Sequence, residues 1–156
     1  MFKILVIEDD ADILQNIIDT LHIEGYECRG ANDGIPGVDI AKSWLPDLIV
    51  CDIMMPGMNG YDVLMELRNY NETAKIPFIF LTAKTEWSDM RKGMLLGADD
   101  YLTKPFVPEE LIEAIKIRLK KNEELTKSYR NRIESLRQNI ARSLPHELRT
   151  PLTGII

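Results

Sequence analysis

The sequence is short of cysteine, of long apolar runs and of glycine-rich phosphate loops, and each shortage excludes a class of protein. Two cysteines, Cys28 and Cys51, are too few for a disulfide framework. With one strand expected between theirs, they stand about twice 4.8 Å apart, beyond the Cα reach of a disulfide. Both are therefore expected as buried thiols in a reducing compartment. No stretch approaches about 18 apolar residues, so no membrane segment is expected. Only Phe2 to Ile7 precede the acids Glu8-Asp9-Asp10, which leaves no secretory core. These absences predict a cytoplasmic protein. The lack of glycine-rich loops, beside so many acids, speaks against a plain nucleotide binder of the doubly wound type.

What is present is one ordinary core and an uneven charge. A chain of 156 residues with 45% hydrophobic content suits one globular domain plus an appendage. The formal charge of -6 hides a split. Residues 1–106 hold 9 Lys/Arg against 18 Asp/Glu, and residues 107–156 hold 10 against 7. An acidic globule followed by a mildly basic helix is expected. Glutamates interspersed along that helix argue against a phosphate-gripping stripe, so no nucleic acid is expected as a partner.

Residues 1–106 alternate strand and helix. Phe2–Ile7 is a short apolar run stopped by acids, which suits a central parallel strand. Ile13, Leu14, Ile17, Ile18 and Leu21 then recur at helical spacing, and Gly25 closes that helix. Further strands are predicted over Tyr26–Gly30, Asp47–Cys51, Ile76–Leu81 and Asp99–Leu102. Helices are predicted over about 36–44, 61–70 and 86–96. Five such strands predict an α/β fold: a five-stranded parallel, doubly wound sheet of the flavodoxin-like order 2-1-3-4-5. From Pro108 the pattern is helical alone. Leu111, Ile115 and Leu119 step by four, and Leu125, Tyr129, Ile133, Leu136, Ile140 and Leu144 continue with the next stripe. A helix over 108–144 would be about 55 Å long. Its distal stripe predicts a coiled coil with a second copy, hence a homodimer.

Ligands of doubly wound sheets sit beyond the carboxyl ends of the strands. That rule selects Glu8, Asp9 and Asp10 after strand one, Asp52 after strand three, Thr82 after strand four and Lys104-Pro105 after strand five. Three carboxylates within a few ångströms repel by several kcal/mol at intermediate dielectric. They stay ionised together only if a cation joins them, and oxygen ligands select a hard ion such as Mg2+. Lys104 offers a compact positive charge to a phosphoryl oxygen, and Thr82 offers a hydroxyl. Asp52 is left as the nucleophile, because a carboxylate forms an acyl phosphate.

Glu8-Asp9, Asp52-Ile53-Met54-Met55-Pro56-Gly57-Met58-Asn59-Gly60, Thr82-Ala83 and Lys104-Pro105-Phe106, in this order, resemble the receiver domain of bacterial response regulators over about residues 1–121. The resemblance implies that Asp52 accepts phosphate from a histidine kinase or a phosphotransfer protein. It also implies Asp9, Asp52 and the Met54 carbonyl as Mg2+ ligands, with Glu8 acting through water. Thr82 and Tyr101 match the family's switch pair, and Lys104-Pro105 matches a cis peptide. Ala83 is expected to leave room over Asp52, and Met54 and Lys84 to limit attacking water.

Residues 122–156 carry a second resemblance. Ser143-Leu144-Pro145-His146-Glu147-Leu148-Arg149-Thr150-Pro151-Leu152 is similar to the phosphoacceptor box of sensor histidine kinases, whose helices pair into a dimeric four-helix bundle. It implies His146 as a second acceptor, Glu147 as the group raising its basicity, and Thr150 as a residue orienting water. ATP would enter only through a catalytic domain that this chain does not contain. The expectation is thus the N-terminal piece of a hybrid kinase in two-component phosphorelay signalling. A non-enzymatic dimerisation module with a structural metal pocket is the alternative.

Overall fold

Apolar residues on both faces of every central strand force a sheet covered on both sides, and the computed structural model has that form. It describes residues 1–83 and 87–143. The strands are β1 (Lys3–Ile7), β2 (Glu27–Ala31), β3 (Leu48–Asp52), β4 (Phe78–Thr82) and β5 (Asp100–Thr103). The helices are α1 (Ala11–Ile23), α2 (Gly34–Trp44), α3 (Gly60–Arg68), α4 (Trp87–Leu95) and α5 (Pro108–Ser143). All pairings are parallel and the order is β2-β1-β3-β4-β5. The expected flavodoxin-like sheet is the one observed.

Strand alternation divides the core. Leu5, Ile7, Ile49, Cys51, Phe78 and Phe80 point to the side covered by α2 and α3, where Val38, Val63, Leu64 and Leu67 meet them. Ile4, Val6, Leu48, Val50, Ile79 and Leu81 point the other way, toward Ile17 and Leu21 of α1 and Leu111, Ile115 and Leu119 of α5. A strand buried on both faces needs no polar alternation, which is why these read as unbroken apolar runs.

Element ends differ from the sequence reading by one or two residues, for identifiable reasons. α2 begins at Gly34 because the Asp33 side chain accepts from the Gly34 amide. Gly25, at φ +93, closes α1 as expected. β3 and β4 each run one residue further than predicted, so Asp52 and Thr82 are the last residues of their strands. Asp52 pairs with Leu81 and Thr82 with Thr103, which fixes both by ladder hydrogen bonds. Cys28 and Cys51 are free and lie on β2 and β3 with β1 between them. Cys51 is buried, whereas Cys28, expected to be buried, is only half-buried because β2 is an edge strand.

The chain divides into two units, Met1–Leu119 and Lys120–Ile156. In the first, α5 buries Leu111, Ile115 and Leu119. In the second, Leu125, Tyr129, Leu136 and Ile140 are exposed. Among the described residues no helix is long and apolar enough to cross a membrane.

Candidate functional site

The carboxyl ends of β1, β3, β4 and β5 bring together the acids, the hydroxyl and the lysine that lie far apart in sequence. Glu8 follows β1 directly, and its amide donates to the Ala31 carbonyl at 3.0 Å, so it stays at the sheet rim. Its side chain is fully buried. Asp9, the next residue, is exposed, and its amide donates to the Glu8 carboxylate at 3.1 Å. Asp52 is 5% exposed at the end of β3. One carboxylate oxygen from each of Glu8, Asp9 and Asp52 lies within 4.8 Å of the others.

Lys104 enters from the β5–α5 connection. Its amide donates to the Thr82 carbonyl at 2.8 Å, and the Lys104-Pro105 peptide is cis, as expected. The ammonium donates to the Glu8 carboxylate and stands 3.4 Å from Asp52 Oδ1. The sequence reading gave this amine to a phosphoryl oxygen alone; its hydrogen bond to Glu8 joins residues 96 apart and had no sequence signal.

One ammonium does not offset three carboxylates. Burial first, and the neighbouring Asp52 carboxylate second, push the Glu8 carboxyl up to about 8 against the opposing pull of Lys104. Burial pulls the Lys104 ammonium down, but its hydrogen bond to Glu8 and the charge of Asp52 outweigh that and hold it above its ordinary value. A cluster of closely spaced oxygen donors with surplus negative charge fits a hard divalent cation. The residues present therefore fit Mg2+.

Two neighbours named in the sequence reading have roles that it did not assign. Asp10 caps α1, accepting from the Asp12 and Ile13 amides at 3.0 and 3.2 Å, so its carboxylate is engaged outside the cluster. Gly60 lets α3 approach β3: a Cβ there would stand 2.6 Å from the Asp52 carbonyl oxygen. The Pro56–Gly60 loop showed a turn, but the closeness of that approach is a tertiary fact. Met54, two residues beyond Asp52, has a side chain 57% exposed. Thr82 is 2% exposed. Tyr101, in register with Phe80, packs its ring against that of Phe80 at 5.6 Å between centroids. Lys84, His146, Glu147 and Thr150 lie outside the described residues.

The sheet order and the acidic rim define the class: a doubly wound α/β protein whose site lies beyond the carboxyl ends of β1 and β3. The family model of the response regulator receiver domain matches residues 4–116, and the chain belongs to that family. The DNA-binding response regulator MtrA of Mycolicibacterium paratuberculosis is 38% identical over 122 residues, covering 78% of this chain and 53% of the relative. The chain thus spans about half the length of the curated relatives it matches. The chemotaxis protein CheY4 of Vibrio cholerae superposes with a TM-score of 0.72 at 32% identity, covering 74% of this chain and 97% of that one. The signal receiver domain of a signal transduction histidine kinase from Syntrophus aciditrophicus gives 0.70 at 31% identity, covering 76% and 89%.

Proposed function

We propose that this chain is a Mg2+-dependent phosphoryl receiver whose acceptor is Asp52. The observation that carries the reading is the Lys104 ammonium between Glu8 and Asp52, whose carboxylates cluster with that of Asp9. Asp9, Asp52 and the Met54 carbonyl would hold the cation, with Glu8 acting through water. Bound there, Mg2+ neutralises charge that builds on the phosphoryl oxygens. The Asp52 carboxylate attacks the phosphorus of a phosphohistidine donor, an O–P bond forms, the N–P bond breaks, and the leaving imidazole takes up a proton. Lys104 and the Thr82 hydroxyl bind the transferred group. Labelling by acetyl phosphate with Mg2+ should disappear in Asp52→Asn; undiminished labelling removes Asp52 from the role.

The output we propose is helical. Residues 1–121 form the receiver, and residues 122–156 a paired signalling helix that leads into a histidine acceptor site at His146, with Glu147 and Thr150 serving it. The likeness to a receiver domain taken from a histidine kinase supports this attachment. Incubated with a histidine kinase ATP-binding core and labelled ATP, the chain should take up acid-labile, base-stable label that His146→Gln loses. Base-labile label alone would reject His146. A second reading rests on the relatives that are named DNA-binding response regulators. It assigns this chain's receiver to a DNA output, and a phosphorylation-dependent mobility shift on promoter DNA by the parent protein would favour it.

A further inference from the structure

α4 is seated on the sheet in an unusual way. Of its described side chains Arg91, Lys92, Met94 and Leu95 are exposed, and the buried position is a glycine, Gly93. The seat is supplied from below by three rings. Tyr61 of α3 meets Phe80 edge-on with centroids 5.3 Å apart, and Phe80 meets Tyr101 at 5.6 Å. α4 holds both ends of this row with consecutive residues. The Lys92 ammonium lies 4.7 Å from the Tyr61 ring centroid, a cation–π contact. A Cβ on Gly93 would fall on the Tyr101 hydroxyl, 2.6 Å from Tyr101 Cζ and 2.9 Å from Phe80 Cε2.

We propose that Gly93 is a positioning residue. Its missing side chain is the notch that the Tyr101 hydroxyl fills, and this interlock ties the placement of α4 to the placement of the Tyr101 ring. Glycine is the worst helix former after proline, and its φ here needs no glycine, so space is the property that places it. The row also reaches the site. Phe80 and Thr82 are two residues apart on β4 and share a face, and Tyr101 and Thr103 are their partners on β5. Thr82 and Tyr101 resemble the family's switch pair, so a shift of that pair toward a group on Asp52 would reach α4 through the notch. This last link rests on Asp52 being the acceptor.

Hydrogen exchange through residues 91–95 of the full chain tests the interlock. Alanine is the better helix former, so propensity alone would slow exchange in Gly93→Ala; a blocked notch reverses the sign. Exchange there should quicken about tenfold, with Mg2+ affinity changed less than about twofold. Tyr101→Phe in the Gly93→Ala background removes the colliding hydroxyl and should recover most of the protection. Unchanged or slower exchange in Gly93→Ala overturns the proposal. If Gly93→Ala does not fold, folding of the double variant supports the interlock and its failure overturns it. Mg2+ with beryllofluoride should change α4 exchange in the wild type but not in Gly93→Ala. Beryllofluoride bound with wild-type α4 unaltered overturns the coupling, whereas no beryllofluoride binding at all sinks the receiver reading instead.

Discussion

Glu8 is fully buried among charges and has the most perturbed carboxyl of the site. Its carboxyl titrates near 8, above the ordinary value of 4.5. A folded value raised in this way makes the contribution of Glu8 to the stability of the metal-free protein largest at low pH, and that contribution is lost as pH climbs from 4.5 toward 8. Mg2+ held by the cluster would work in the opposite direction, since cation binding favours the ionised carboxylate. Its affinity should therefore rise with pH, by up to about tenfold per unit below 8, and level off above. Calorimetric titration across pH 6 to 9 checks this, and a flat profile would contradict it. The residue scale also shows where reading a sequence is strong. Asp52 stood out as an acid at the end of an apolar strand, and Lys104 as a lysine before proline. That Lys104 touches Glu8 more closely than Asp52 depends on side-chain conformation, which spacing does not carry.

At the scale of elements, the end of the sheet opposite the site is held by a polar brace. Asp99 accepts from the Phe78 amide at 2.7 Å and pairs with Arg68 at 3.5 Å and Arg118 at 3.7 Å. Arg68 also donates to the carbonyls of Ala74, Ile76 and Gly97. One carboxylate thus joins α3, β4, the start of β5 and α5. Asp99→Ala should cost about 1–3 kcal/mol, because it leaves part-buried donors unpaired. Asp99→Asn, which can still accept from the Phe78 amide, should cost less. Urea unfolding compares the two, and equal losses would assign the brace to charge alone. Elements themselves were largely legible: all five strands and five helices fall where periodicity put them. Their ends were less so, because Asp33 and Asn59 start α2 and α3 through side-chain caps whose geometry only the fold sets.

On the scale of the whole molecule, the two units differ in how they use apolar residues. In the first, α5 buries Leu111, Ile115 and Leu119 against the sheet; in the second, the same helix exposes Leu125, Tyr129, Leu136 and Ile140. We expect pairing with a second copy to cover them. Leu136→Arg should then convert a dimer to a monomer in sedimentation equilibrium while leaving Asp52 labelling intact. A wild-type chain that sediments as a monomer at all accessible concentrations would remove the paired helix from the account.

The sequence by itself determined the layered α/β fold and the acids at the strand ends, since each follows from short-range pattern; the sheet order came from the common arrangement of five such strands, and the cis Lys104-Pro105 peptide from the receiver resemblance. Tertiary structure alone decided which charge meets which, where α3 comes close enough to require Gly60, and how the rings of Tyr61, Phe80 and Tyr101 carry α4. Those are contacts between distant segments, and their distances are set by packing of the whole core, which no local spacing encodes.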